Sequence, residues 1–191
     1  MPINAFSHYP QGFTHGVTLR GLSVLSAHAG NIFWVDSGIG ADSGGNDGSI
    51  TKPFATIDYA NGRCTANSGD IIVVAPGHVE TISAAAGIAL DVAGVSVIGL
   101  GSGRDRPEID FTATASTFAV TANNVYVENL YFDVTGIDAV VNAIDVGATD
   151  FSMVGCEVLG ADSGGQMTAF IITDASSGRM RVIGNTIRST N

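Results

Sequence analysis

Four stretches of this chain repeat one pattern, and the repeat limits the available folds more than any other feature. In IALDVAGVSVIGLGS, TFAVTANNVYVENLYFDV, NAIDVGATDFSMVGCEVLG and ITDASSGRMRVIGNTIRS, the residues Val97, Val127, Met153 and Val182 occupy equivalent places, 30, 26 and 29 residues apart. Two positions before each stands a second apolar residue, Val95, Val125, Phe151 or Met180. Two positions after each stands Gly99, Asn129, Gly155 or Gly184, residue types suited to a sharp corner. A further apolar residue follows directly in three of the four, Leu100, Leu130 and Cys156, with Asn185 in the last.

An apolar–x–apolar strand, a corner, and a second short strand at this spacing make one turn of a right-handed parallel β-helix. Each turn of such a coil buries its inward side chains against the turns above and below. About five turns fit between residues 70 and 191, a stack of about 24 Å at the usual strand separation. Leucine-rich repeats need a leucine and asparagine pattern that is absent. A sandwich would show two-residue hairpin turns, and few are visible. The fold class expected is therefore all-β, a short parallel β-helix.

The region before the repeat divides in two. Residues 32–66 lead into the coil: NIFWVDSG reads as a short strand, and GIGADSGGNDGS as a loop of turn-forming residues. Asp36, Asp42 and Asp47 of this segment are candidates for holding a calcium ion. However, the glycine offset and the missing closing Glu depart from an EF-hand, and a solvated turn is the commoner origin of such a loop. Next, TKPFATIDYANGRCTANSGD reads as a capping helix at about 53–66. Pro53 suits its first turn, and Phe54, Ile57, Ala60 and Cys64 form one apolar stripe. Residues 1–31 show neither the period of a strand nor that of a helix. This extended arm carries Phe6, Tyr9, Phe13, Leu19, Arg20 and Leu22, which are expected to dock on a partner or on the coil itself. The domains are thus an arm at 1–31 and a β-helix at 32–191. The chain stops on a strand, so the last turn is expected to be covered by another subunit or by further chain.

Composition narrows the partners. With 18 acidic against 8 basic residues the net charge is −10, which repels nucleic acid and anionic membrane surfaces. No run approaches the ~20 apolar residues of a membrane span, and no signal-like N-terminus is visible. The chain is expected to be made in the cytoplasm and to reach any other place by assembly or lysis. Cys64 and Cys156 lie far apart in apolar contexts and read as small buried hydrophobes.

The run FWVDSGIGADSGGNDGSITKPFATIDYA, followed by SGDIIVVAPGHVETI, resembles the segment that leads into the coil of pectate-lyase-like β-helix proteins. That resemblance covers roughly residues 32–191 and implies the same coil. The stretch YPQGFTHGVTLRG resembles N-terminal segments of bacteriophage virion-associated proteins that carry such coils. Together they imply a tailed-phage virion location and a structural role as a decoration or cement protein. The partners would be the major capsid protein and further copies of the chain, as a homotrimer, with no cofactor. The alternative within the same resemblance is a tailspike or tail-fibre module that binds or cleaves glycans, with Tyr126 and Tyr131, on neighbouring strands, stacking on sugar rings.

The residues offer no catalytic set for that alternative. Polygalacturonase-type motifs are missing: no two aspartates are adjacent, and His78 stands in PGHVE, where a surface or turn position is expected. Asp91, Asp110, Asp133, Asp145 and Asp150 are available, but their spacing places none at equivalent points of neighbouring turns. Arg104 and Arg106 read as a solvated loop salt-bridged to Asp105 and Glu108. The chain is therefore not expected to be an enzyme.

Overall fold

The computed structural model describes residues 30–137, 139–161 and 167–190, and the docking residues expected in the arm lie outside that range. Three parallel sheets make up the fold. The first holds β1 (Ile32–Val35), β2 (Ile71–Val74), β5 (Ser96–Gly99), β8 (Tyr126–Glu128), β11 (Phe151–Val154) and β14 (Met180–Ile183). The second holds β3 (Val79–Ile82), β6 (Glu108–Phe111), β9 (Tyr131–Asp133), β12 (Glu157–Ala161) and β15 (Thr186–Thr190). The third holds β4 (Ile88–Leu90), β7 (Phe118–Val120), β10 (Val140–Val146) and β13 (Met167–Thr173). From β2 onward the chain visits first, second and third sheet in rotation, which is a β-helix of about four turns. The count of five was one too many because β14 and β15 begin a last turn that the described chain does not close.

The register follows the repeat. Val97 pairs with Val127, Val127 with Met153 and Met153 with Val182, and the ladder extends back through Ile72 to Phe33. Ile72, Val97, Val127 and Met153 are fully buried. In the second sheet the inward ladder runs Ile109, Phe132, Val158 and Ile187. Phe132 meets Phe118 edge-on at 5.5 Å and lies 6.5 Å from Phe111, so aromatic rings from the second and third sheets fill the middle of the coil.

The corners behave as expected at three of four points: Asn129, Gly155 and Gly184 take φ of 57°, 62° and 64°. Gly99 instead ends β5 in extended form. A glycine stands there because a methyl group would fall on the Asn129 carbonyl of the next turn. The Asn129 amide donates to the carbonyls of Gly99 and Gly101 at 2.9 and 3.0 Å. Asn185, the departure from the apolar pattern, does the same work two corners later. It accepts from the Cys156 N–H at 2.7 Å and donates to the Met153 carbonyl at 3.0 Å.

The capping helix is far shorter than the expected 53–66. It is α1, Ile57–Asn61, and Thr56 is its N-cap, accepting from the Tyr59 N–H. Pro53 and Phe54 lie outside it because Phe54 is held extended by the Trp34 and Asp36 backbone beside β1. Even so, Phe54, Ile57 and Ala60 join the core and close its first end, as the stripe implied. Cys156 is buried and Cys64 half-buried; both are free thiols. Burial, and then the Asp70 charge, push Cys64 up to about 12, and burial pushes Cys156 up to about 11, so neither is a reactive thiolate at neutral pH. No helix among the described residues is long and apolar enough to cross a membrane.

Candidate functional site

Alternation along the second sheet sends every other side chain outward, and polar chemistry collects on that outer face. Glu108 of β6, Tyr131 of β9, Glu157 of β12 and Thr186 of β15 stand side by side, and Asp110 stands beside Asp133. The expectation that none of the five aspartates occupies equivalent positions in neighbouring turns is therefore wrong. The spacing misled because one turn carries a long corner, with a 3-10 turn at Gly103–Asp105, between its first and second strands. Ile109 and Phe132 are thus only 23 residues apart although they are direct partners.

The cluster perturbs its own acids. Burial, then the charges of Asp133 and Asp110, push Glu108 above the usual carboxylate range. Burial, then the Asp133 charge, push Asp110 up as well. The Tyr131 hydroxyl donates to Asp133 at 3.2 Å, and burial with that neighbouring charge raises its phenol. Above this face lies a groove of about 440 Å³ lined by Arg104, Arg106, Glu108, Tyr131, Glu157 and Arg188. Arg106 does not pair within its own loop, as the sequence suggested. Its Nη1 donates instead to Glu157 Oε2 at 2.9 Å, and Arg188 binds the other oxygen of the same carboxylate. Arg106 Nε is buried with no partner among the described residues.

A raised acid has a defined consequence for stability. For Asp110 and Glu108 the fold favours the protonated form. Their ionisation therefore opposes folding above the folded-state pKa, and that penalty fades as pH falls through it toward the unfolded value. Asp110→Asn should raise stability at pH 7 by about 0.2–1 kcal/mol, the scale of a cross-strand like-charge pair. The gain over the parent chain should vanish on acidification to pH 4. Thermal melts of both proteins across that range read it directly, and a gain independent of pH would rule out the mutual repulsion.

The other candidates are distributed differently. Tyr126 and Tyr131 lie on consecutive strands but in different sheets, either side of the Asn129 corner. The Tyr126 hydroxyl donates to Glu128 at 2.9 Å, and burial with that carboxylate pushes the phenol up to about 12. The two rings thus do not form one stacking platform. In the lead-in loop, Asp36 accepts from the Gly38 N–H and Asp47 from the Ser49 N–H. Asp42 binds the Ala55 N–H at 2.7 Å and the Thr56 hydroxyl at 2.6 Å. Each carboxylate fastens a different turn, and no group of three metal-ligating side chains gathers among the described residues.

His78 proves to be buried rather than a surface residue, at 1% exposure. Its Nδ1 accepts from the Ser37 N–H at 3.0 Å, so Nε2 carries the proton toward Glu80 Oε2 at 3.2 Å. Glu80 Oε2 also accepts from the Ile57 N–H at 2.9 Å. This network pins the lead-in loop and α1 to the first turn. The outward alternation of PGHVETI gave no sign of it, because the inward place at Glu80 looks polar and therefore solvated.

Neither a protein-family model nor a curated protein matches the sequence. Among solved structures, a rhamnogalacturonan lyase matches with a TM-score of 0.47 at 14% identity, covering 82% of this chain. The chain spans 56% of the length of that lyase. The likeness is to the parallel coil alone, and it carries nothing about substrate or chemistry.

Proposed function

We propose that this chain is a structural component of a tailed-bacteriophage virion, a decoration or cement protein of the head. In this reading, residues 1–31 dock on the major capsid protein through Phe6, Tyr9, Phe13, Leu19, Arg20 and Leu22, and the β-helix projects as part of a homotrimer. The observation that carries the reading is the division of the chain. The coil closes its first end with its own residues, since Val35, Phe54, Ile57 and Ala60 are buried under the lead-in loop and α1. In this reading the aromatic segment ahead of that core serves a surface elsewhere. The test is the copy number of the chain, relative to the major capsid protein, in purified particles by quantitative mass spectrometry. The expected result is hundreds of copies per particle, and absence from particles overturns the proposal.

A second reading, a tail-associated module that binds or cleaves glycans, draws on the outer face of the second sheet. Asp110 and Asp133 are cross-strand partners. Neighbouring strands run ~4.8 Å apart, close to the ~5 Å carboxyl spacing of a retaining glycosidase. A count of a few tens per particle, with reducing ends or unsaturated products released from host polysaccharide, favours that reading instead.

A further inference from the structure

Two ties hold the lead-in loop to the start of β3, and one of them depends on the charge of a buried ring. The Ser37 Oγ accepts from the Val79 N–H at 3.0 Å, and the Ser37 N–H donates to His78 Nδ1 at 3.0 Å. The second bond exists only while Nδ1 is unprotonated, because a doubly protonated imidazole has two donors and no acceptor. The ring is also fixed from its other side. Its Nε2 faces Glu80 Oε2 at 3.2 Å, and the His78 backbone is pinned by the Ala75 carbonyl and the Glu108 N–H. The imidazole is completely buried, so a proton gained at Nδ1 meets the Ser37 N–H and not water.

The carboxylates around the ring favour its cation. Asp36 and Asp42 belong to the lead-in loop, Asp58 to α1, Glu80 to the strand of His78 itself, and Asp105 and Glu108 to the turn stacked on it. Asp36 is occupied by the Gly38 N–H, Asp42 by Thr56 and Asp58 by the Ala89 N–H, whereas Glu80 is bonded to the ring. The nearby cations are engaged elsewhere. Lys52 of the loop acts on Asp47, Arg63 lies over Tyr59, and Arg104 and Arg106 line the groove on the outer face of the second sheet. A protonated His78 therefore meets an anion at Nε2 and a donor at Nδ1. The ring keeps its place and the loss falls on Ser37, which is exposed and can turn its N–H to water.

We propose that His78 and Ser37 form an acid-sensitive latch. With the ring neutral, the lead-in loop is fastened to the first turn; protonation unfastens the loop around Ser37 while the coil beneath stays folded. The undocked loop allows the second proton that the docked loop excludes from Nδ1, so docking weakens as pH falls. Val35 and Phe54, on either side of this loop, close the first end of the core, so the latch governs how readily that end opens. The proposal is independent of the virion reading, since it concerns one hydrogen bond within the chain and not where the chain is found.

The test is amide hydrogen exchange of the full chain by NMR from about pH 8 to pH 5, the span over which histidines change charge, with rates corrected for the intrinsic effect of pH. Protection of Ser37 should fall about tenfold per pH unit once the ring titrates, the slope of a one-proton linkage. The Ile57 amide, held by Glu80, and the Val127 amide in the middle of the coil should not change. The nitrogen shifts of the His78 ring should report protonation with the same midpoint. His78→Asn offers a carbonyl oxygen near the place of Nδ1 without a titrating group, and Ser37 should then stay protected throughout. Glu80→Gln removes the anion that holds the imidazolium and should move the transition to lower pH. Ser37 protection independent of pH, a transition whose midpoint differs from that of the ring, or an unchanged transition in His78→Asn overturns the proposal.

Discussion

Replacing Phe132 by alanine is expected to cost about 3–5 kcal/mol, the usual loss for a fully buried phenylalanine. Phe132 is fully buried between Ile109 and Val158, and its ring is one of three that fill the coil's centre. A turn of a β-helix has no core of its own, so a cavity in one turn weakens its packing against both neighbours. Since a domain of this size has a net stability of only about 5–15 kcal/mol, the variant should sit near the edge of folding at 37 °C. Phe132→Leu keeps most of the volume and should lose less than about 1.5 kcal/mol. Ile187→Ala, at an inward position already 60% exposed, should shift stability by less than about 0.5 kcal/mol. Urea denaturation of the three proteins gives the ordering. A loss at Ile187 comparable to that at Phe132 would mean that the last turn is covered and that its exposure is not a feature of the protein in solution.

The contrast between those two positions also marks what the sequence makes legible. The first-sheet register could be read to the residue, from Val97 through Val182, because each strand is followed by a corner residue at fixed offset. Corners are local chemistry and survive in one dimension. The second sheet could not be read in the same way. A 3-10 turn lengthens one corner, the spacing from Ile109 to Phe132 contracts to 23 residues, and the Asp110–Asp133 partnership disappears from view. The capping helix was over-extended for a related reason. The stripe from Phe54 to Cys64 has helical spacing, but Phe54 is bound to β1 by backbone hydrogen bonds that propensity does not register. Tertiary pairing wins over local pattern there. His78 and Glu80 show the limit of binary patterning: a polar residue at an inward strand position reads as exposed until its partners, Ser37 and Ile57, are known. The polar face of the second sheet is thus a product of register, whereas the coil that presents it is a product of repeat.

Asp70→Ala is expected to be nearly as damaging as Phe132→Ala, through polar chemistry rather than packing. Asp70 is fully buried just before β2. One carboxylate oxygen accepts from the Asn31 N–H beside β1 and the other from the Thr65 N–H of the loop after α1, each at 2.6 Å. A single side chain therefore ties the lead-in strand, the cap and the first full turn together. Removing it leaves two N–H donors without their acceptor, and at about 1–3 kcal/mol for each the loss should reach about 2–6 kcal/mol. Asp70→Asn separates the charge from the geometry. Its carbonyl can serve one donor, but its NH₂ then faces the other N–H, so the loss should be intermediate, about 1–3 kcal/mol. Hydrogen exchange distinguishes a local from a global effect. The cap residues from Ile57 to Asn61 should lose protection first, ahead of the turns built on β8 to β12, because each turn contacts only its neighbours. Uniform loss of protection along the whole coil would instead show that the first turn and its cap nucleate everything stacked on them.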